Sequence, residues 1–204
     1  MFHDVKRGAE MSGKPQFDEA AVMRAAIEVF WRHGYAATSI SELTEATGLS
    51  RSSLYQRFGD KDGLFREALQ IYTERVLHHM GAAKADTPRT RLDALLRGFL
   101  PDPSRPAGCL IGWGCVEIAG LTVEGQTAIL DAVARQRDVF KGLLREGIAS
   151  AELPQDADVE VLAWHFLGVL QAILTLPQAG ADTNALTGMI DVAMSAWPDE
   201  TLNA

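Results

Sequence analysis

The sequence predicts an all-α fold with a small N-terminal helix-turn-helix head and a larger helical body. Apolar residues recur at helical intervals in almost every segment from Phe17 onward, and no alternating strand pattern is present. Glycine turns and a proline-rich break at 101–106 separate the helical segments. We expect an N-terminal arm over residues 1–15, a head over 16–62 and a body over 63–204.

The segment 38–64 predicts a helix, a glycine turn, a second short helix and the start of a third. Ser39 and Glu42 have the spacing of a capping box, in which each side chain hydrogen-bonds to the backbone N–H of the other residue. Gly48 ends this helix, because the residue after a helix often has a positive φ, which glycine adopts at the least cost. Ser50 is then placed to cap the second helix.

The second helix of this unit predicts a surface that reads DNA. Leu54 and Phe58, four residues apart, face the core and leave polar side chains on the opposite face. Side chains of these types hydrogen-bond to phosphates and base edges, and a helix that carries them fits the major groove. The candidate DNA-contacting residues are Arg51, Ser52, Ser53, Tyr55 and Gln56.

This stretch resembles the TetR family of bacterial transcriptional repressors over about residues 16–65. The resemblance implies a homodimeric repressor that binds palindromic double-stranded operator DNA and responds to a small-molecule effector. It also implies phosphate contacts by Thr38 and Lys61. The matching positions are Phe30, Gly34, Tyr35, Thr38, the turn from Leu43 to Gly48, Ser50, Leu54, Tyr55, Phe58, Lys61 and Leu64.

Three hydroxyl side chains depart from the usual residues of the family. Thr44 and Thr47 stand where the family usually has alanine, and Ser52 replaces a common glycine. These hydroxyls either hydrogen-bond to the backbone of the turn or change how the recognition helix meets DNA.

The net charge of −8 is unusual for a protein that binds nucleic acid, because phosphates attract clustered Lys and Arg. Residues 1–60 hold seven basic and eight acidic side chains, whereas the whole chain holds 19 and 27. Screening limits electrostatic reach to about 8–10 Å at physiological salt, so the local balance matters more than the total. We therefore expect weak non-specific affinity for DNA and a strong reliance on a dimer.

The segment from Val159 to Leu176 is apolar on nearly every side, so a helix here must be covered all round. Either it lies in the centre of the body or a second subunit covers one face. The family resemblance implies that this helix and the next one form a four-helix dimer interface. The candidate interface residues are Leu162, Phe166, Gly168, Leu170, Ile173, Leu186, Met189, Ile190 and Ala193.

Large side chains of the body predict a ligand cavity. Sites for small molecules have mostly apolar walls with a few polar groups, although aromatic residues at helical spacing also form ordinary cores. Glu117 and His165 are the candidate polar members. The candidate ligand-binding residues are Phe99, Cys109, Trp113, Glu117, Phe140, Trp164 and His165.

The two cysteines, Cys109 and Cys115, are too few for a disulfide framework, and their spacing does not match a zinc site. We expect no metal and no cofactor. Cys109 follows Gly108 at an expected helix start, where the helix dipole favours the thiolate. We therefore expect electrophiles to modify Cys109 before Cys115, with a buried and inert cysteine as the alternative. Some family members with a comparable G-C-L segment sense electrophiles or oxidants.

Other functional classes receive little support from the sequence. No stretch resembles a secretory signal or a membrane span, which indicates a cytoplasmic protein. Nucleophile-elbow, zinc-protease, Walker and dinucleotide-binding motifs are absent, which disfavours an all-helical enzyme. A DNA-binding protein without an effector stays open, although a body of roughly 140 residues exceeds what a DNA head needs. The sequence predicts a ligand- or thiol-responsive homodimeric transcriptional repressor.

Overall fold

The computed structural model describes residues 17–102 and 107–197. Within these residues the regular elements are α-helices joined by turns and two 3-10 segments, and no strand is present. The predicted all-α fold is therefore confirmed. The predicted arm over 1–15 lies outside the described residues, as does most of the proline-rich break.

The helices follow one another with short connections. Their bounds are α1 (Glu19–Ala37), α2 (Ile40–Thr47), α3 (Arg51–Phe58), α4 (Lys61–Gly81), α5 (Pro88–Arg97), α6 (Leu110–Val116), α7 (Val123–Ala149), α8 (Val159–Thr175) and α9 (Thr183–Met194). Helices α1 to α3 form the head, α5 to α9 form the body, and α4 extends from one into the other.

Side-chain caps begin the helices of the head as predicted. Ser39 Oγ accepts from the Glu42 N–H, and Glu42 Oε2 accepts from the Ser39 N–H at 2.7 Å, which is a capping box. Gly48 has a φ of 70° at the end of α2, and Ser50 Oγ accepts from the Ser53 N–H at the start of α3. Helix α2, the turn and α3 therefore form the predicted helix-turn-helix.

The core of the head is formed by α1, α2, α3 and the first turns of α4. Phe30, Leu43, Leu54 and Phe65 are fully buried there. The rings of Phe30 and Phe65 meet edge to face with centroids 5.2 Å apart. Because α4 continues into the body and packs on α7, this core is continuous with that of the body.

Helix α7 is the central helix of the body and packs on α4, α5, α6 and α8. Its buried residues recur at helical intervals along one face. One of them, Phe140, stacks on Phe166 of α8 with ring centroids 6.4 Å apart. The core of the body is therefore formed around α7 and α8.

The range Val159–Ala179, which includes α8, is long and apolar enough to cross a membrane, with a mean hydropathy of 1.7. This finding differs from the expectation that no stretch resembles a span. Core helices of soluble proteins meet the same criterion, and here α8 packs on α5, α7 and α9. Because only 28% of the apolar window is buried, much of the surface of α8 remains uncovered in the protomer.

Gln136 of α7 places an amide in the core of the body. Its side chain is 0% exposed, and neither amide atom has a hydrogen-bond partner within the described part of the chain. A buried polar group without a partner costs about 1–3 kcal/mol.

We expect Gln136→Met to raise the free energy of unfolding by about 1–3 kcal/mol, because methionine has a similar length and no amide to desolvate. Urea denaturation monitored by circular dichroism measures the change. The matched variant Gln70→Met, at an exposed position of α4, should change stability by less than about 0.5 kcal/mol. Destabilisation by Gln136→Met would mean that the amide is hydrogen-bonded in solution.

Candidate DNA interface and ligand cavity

Helix α3 presents polar side chains away from the core of the head. Arg51, Ser52 and Gln56 are exposed, and Tyr55 is 43% exposed, which is a large fraction for an aromatic side chain. The side chains of Tyr55 and Gln56 have no hydrogen bond or ion pair to any described residue, so their polar atoms are available to base edges. The structure thus brings these four residues to one surface, and their contacts with DNA stay a prediction.

The serine residues at the start of α3 hydrogen-bond to one another. Ser50 Oγ lies 2.9 Å from Ser52 Oγ and 2.8 Å from Ser53 Oγ. Ser53 is also half-buried, whereas Ser52 is exposed. Ser52 is therefore the better placed of the two predicted serine contacts.

The two threonines that depart from the family pattern hydrogen-bond to the backbone of α2. Thr44 Oγ1 donates to the carbonyl of Ser41 at 2.9 Å, and Thr47 Oγ1 donates to the carbonyl of Leu43 at 2.6 Å. The turn thus accommodates both hydroxyls with local bonds, and neither reaches α3.

Thr38 and Lys61, which the family resemblance assigned to phosphates, form internal bonds. Thr38 is 2% exposed, and its hydroxyl donates to the Gly34 carbonyl at 2.6 Å. The hydroxyl proton is therefore used inside the head, and a phosphate contact by Thr38 stays a prediction that this arrangement does not favour. Lys61 Nζ donates to the carbonyls of Tyr35 at 2.9 Å and Thr38 at 3.0 Å, and burial lowers the pKa of Lys61. One N–H of the ammonium remains for a phosphate.

Arg57 joins α3 to its neighbours and does not face the DNA-reading side. Its guanidinium forms ion pairs with Glu19 of α1 and with Glu67 of α4, the latter at 2.9 Å. The hydrogen bonds to these carboxylates raise the pKa of Arg57. Both arginines of α3 are exposed, but Arg51 has no ion pair with a described residue, whereas Arg57 is paired with two carboxylates.

A cavity of about 560 Å³ lies between the head and the body. This volume is within the range of about 300–1,000 Å³ that is typical of small-molecule sites. Helix α4 contributes one face to its wall, and α1 of the head contributes Trp31. The wall also contains residues from α8 and from the two ends of the segment between α5 and α6. The main lining residues are Trp31, Tyr72, Arg75, Val76, His79, Phe99, Leu100, Gly108, Ile173 and Leu174.

Trp31 and His79 place polar atoms at this cavity. The Trp31 indole N–H donates to the Gly108 carbonyl at 3.1 Å, and the ring meets Tyr72 edge to face at 5.0 Å. His79 Nε2 lies 2.9 Å from the carbonyl of Gly98. Phe99 was predicted at a ligand site, whereas the α4 residues were missed. Their spacing of three and four residues could have identified them as one face of that helix.

A second cavity of about 380 Å³ lies in the groove between α6 and α8. Cys109, Trp113 and Trp164, predicted at a ligand site, line this groove together with Gln171. Gly108 lines both cavities, so the two adjoin at the start of α6. Contact between these residues and a ligand stays a prediction.

Three predicted ligand-binding residues line neither cavity. Phe140 is fully buried against Phe166, and His165 is exposed, because α8 turns it away from the core. Glu117 reaches the head, where its carboxylate accepts from the backbone N–H of Tyr35 at 2.6 Å. The structure therefore does not bring Phe140, His165 and Glu117 to either cavity.

The surroundings of Cys109 oppose the predicted reactivity of its thiol and fit the alternative of a buried cysteine. Cys109 is 3% exposed, and burial raises the pKa of its thiol more than the N–H groups of Gly112 and Ile111 lower it. Cys115 is exposed, although partial burial of its thiol raises the pKa as well. Desolvation therefore exceeds the effect of the helix start, and Cys109 is the shielded thiol of the pair. The described residues contain no cluster of three or more possible metal ligands.

Most of the predicted dimer residues face the core of their own protomer. Leu162 and Met189 are half-buried and Gly168 is exposed, whereas the others are buried. The buried residues expose no surface to a second subunit in this protomer. They are Phe166, Leu170, Ile173, Leu186, Ile190 and Ala193.

The uncovered face of α8 and α9 consists mostly of apolar and small residues, with the exposed His165 among them. It lies opposite the buried residues of both helices and includes Val192, which is 73% exposed. We call it the α8–α9 face, and its residues are Val161, Gly168, Ala172, Ala185, Gly188, Met189 and Val192.

The helix-turn-helix and the exposed polar surface of α3 define the class of this protein, a DNA-binding transcriptional regulator. The family model described as bacterial regulatory proteins, tetR family, matches residues 22–68. The model of the tetracyclin repressor-like C-terminal domain matches residues 88–193. The chain belongs to the TetR family of transcriptional regulators.

Relatives and solved structures match nearly the whole chain. The repressor ComR of Escherichia coli is 28% identical over 194 residues, which is 92% of each chain. The repressor AcnR of Corynebacterium glutamicum is 25% identical and covers 88% of this chain and 92% of its own. A cysteine mutant of CifR in complex with double-stranded operator DNA is 29% identical, with a TM-score of 0.79. That match covers 91% of this chain and all of the CifR chain.

We expect Gln56→Ala to weaken binding by about 1–3 kcal/mol at particular base pairs, because a side-chain amide that bonds to a base edge discriminates by that amount. The operator is first selected from random double-stranded DNA with the full chain. Competition binding with single-base-pair variants of that operator then measures the preference at each position.

The matched control for this experiment is Gln70→Ala, which removes the same amide from an exposed site on α4. It should leave the affinity and the preference unchanged. If Gln56→Ala kept the wild-type base preference at every position, its assignment to base readout would be refuted.

Proposed function

We propose that this chain is a homodimeric repressor that a small molecule releases from a palindromic operator. The observation that carries the proposal is the position of Trp31, a residue of the head helix α1, in the wall of the 560 Å³ cavity. A ligand in this cavity touches the DNA-binding part of the molecule directly. The affinity for the ligand therefore depends on where the head lies.

The relatives support the repressor assignment. ComR and AcnR are named as transcriptional repressors, and the CifR mutant is bound to double-stranded operator DNA. Repression follows from occupancy of an operator that overlaps a promoter, so it requires specific binding and no catalytic step. This proposal favours a regulator over the alternative of an all-helical enzyme.

The α8–α9 face supports the homodimer. It carries Val161 and Val192, which are 62% and 73% exposed, beside small residues that let helices approach closely. A two-fold axis through such a surface places the same patch of both subunits in contact. The interface proposed here therefore uses the opposite face of α8 and α9 from most of the residues predicted from sequence.

Release of DNA requires that the ligand bind the DNA-incompetent form more tightly than the DNA-binding form. A ligand with equal affinity for both forms shifts nothing, and a change from 1:99 to 99:1 needs about 10⁴-fold selectivity. Apolar walls with Arg75 and His79 at the cavity favour an organic molecule of mixed polarity. Thiol modification is disfavoured as the trigger, because Cys109 is buried and its pKa is raised.

We expect Val192→Glu to dissociate the dimer and to weaken operator binding by at least about tenfold, because it buries an unpaired carboxylate in the interface. Sedimentation velocity and gel-shift titration measure the two effects. Val123→Glu is the matched control, since Val123 is 74% exposed at the start of α7, away from the α8–α9 face. A Val192→Glu protein that stayed dimeric at micromolar concentration would exclude this face as the interface.

We expect the dye anilinonaphthalene sulfonate to report on occupancy of the 560 Å³ cavity, and compounds that displace it to lower operator affinity. Leu174→Trp adds bulk inside the cavity. It should weaken the binding of such compounds by at least about tenfold and leave operator affinity in their absence unchanged. Leu130→Trp, at a position 61% exposed on α7, is the matched control. Displacing compounds that leave operator affinity unchanged would instead favour a DNA binder without an effector.

A further inference from the structure

Helix α6 contacts the head helix α1 at both of its ends. At the start of α6, the Gly108 carbonyl accepts from the Trp31 indole at 3.1 Å. At its end, the Glu117 carboxylate accepts from the N–H of Tyr35 at 2.6 Å and of Ala36 at 3.3 Å. Between these points the residues of α6 line the second cavity, and Gly108 lines both cavities.

The contact made by Glu117 falls on a break in α1. Gly34 has a φ of 76° and a ψ of 177°, a region of backbone conformation that is essentially limited to glycine. An added Cβ at Gly34 would lie 2.7 Å from Glu117 Oε1. The approach of the carboxylate to α1 therefore requires glycine at this position both for its φ and for its size.

The position of Glu117 follows that of α6. The Glu117 N–H donates to the Trp113 carbonyl at 3.0 Å, which extends the last turn of the helix. On the other side of the break, Lys61 of α4 donates to the Tyr35 carbonyl. The end of α1 is thus held by a carboxylate from the body and by an ammonium from α4.

We infer that Glu117 is a positioning residue for DNA binding, which fixes the orientation of the head by binding α1 at the Gly34 break. This inference requires no ligand and does not rest on the proposed effector response.

The inference places this contact in the DNA-binding form of the protein. The fold with this contact in place matches, over 91% of the chain, the CifR mutant that is bound to operator DNA. A carboxylate that accepts two backbone N–H groups is a charge-assisted contact with a defined geometry. Loss of the carboxylate therefore leaves the head able to fold and less restricted in its orientation.

We expect Glu117→Ala to weaken operator binding by about tenfold or more and to speed amide exchange at Tyr35 and Ala36 by a similar factor. Glu117→Gln keeps one acceptor oxygen, so its operator affinity and amide exchange rates should lie between those of Glu117→Ala and the wild type. The matched control is Glu124→Ala, which removes an exposed carboxylate from the first turn of α7. Hydrogen exchange by NMR and gel-shift titration give the two readouts on the full chain.

A merely structural role would change the exchange pattern differently. If Glu117→Ala loosened the whole head, amides of α2 and α3 would exchange faster by the same factor as Tyr35 and Ala36, and the inference would be overturned. Unchanged exchange at Tyr35 and Ala36, or unchanged operator affinity, would overturn it as well. The expected result is fast exchange confined to the end of α1, together with weaker operator binding.

Discussion

The break in α1 at Gly34 is the constraint on which the arrangement of head and body depends. An interrupted helix exposes backbone groups that must find partners elsewhere, because an unsatisfied buried group is costly. Thr38 donates to the Gly34 carbonyl, Glu117 accepts from the Tyr35 N–H, and Lys61 donates to the Tyr35 carbonyl. These partners come from the end of α1, from α6 and from α4. The break is therefore the point where three parts of the molecule meet.

The sequence predicted the helix-turn-helix well because its signals are local. Ser39 with Glu42 and Ser50 with Ser53 are each three residues apart, so the spacing alone implies the hydrogen bonds that were observed. The contact between Glu117 and Tyr35 joins residues 82 positions apart. No periodicity or capping rule predicts such a pair, which is why the carboxylate was assigned to a ligand cavity. The internal hydrogen bonds of Thr38 and Lys61 were missed for the same reason, since the family match gave each residue a role and not its internal partners.

The orientation of α8 shows a different limit of structure prediction from sequence. A helix that is apolar on all sides carries no polar stripe to mark its outer face, so periodicity predicts the helix but not its rotation. The structure turns large residues such as Phe166 and Leu170 inward and leaves Gly168 outward. Apart from Trp164, which is 50% exposed, this division follows packing, because large side chains fill the core between α7 and α8, whereas small ones suit close contact with another helix. The proposed interface therefore keeps the predicted pair of helices and uses their opposite face.

The head carries few free cations, so the proposed operator binding depends on two heads that bind together. That in turn depends on the orientation of each head, which the contacts at the Gly34 break hold. Arg57 is neutralised by Glu19 and Glu67, and Lys61 is turned inward, so one head has few free cations for phosphates. Two linked heads gain affinity from effective concentration only while both α3 helices match their half-sites, about 34 Å or a multiple apart. A small rotation of each head about the end of α1 changes that separation. In the proposed dimer, the contact of Glu117 with the end of α1 therefore limits how well both heads match the operator at once.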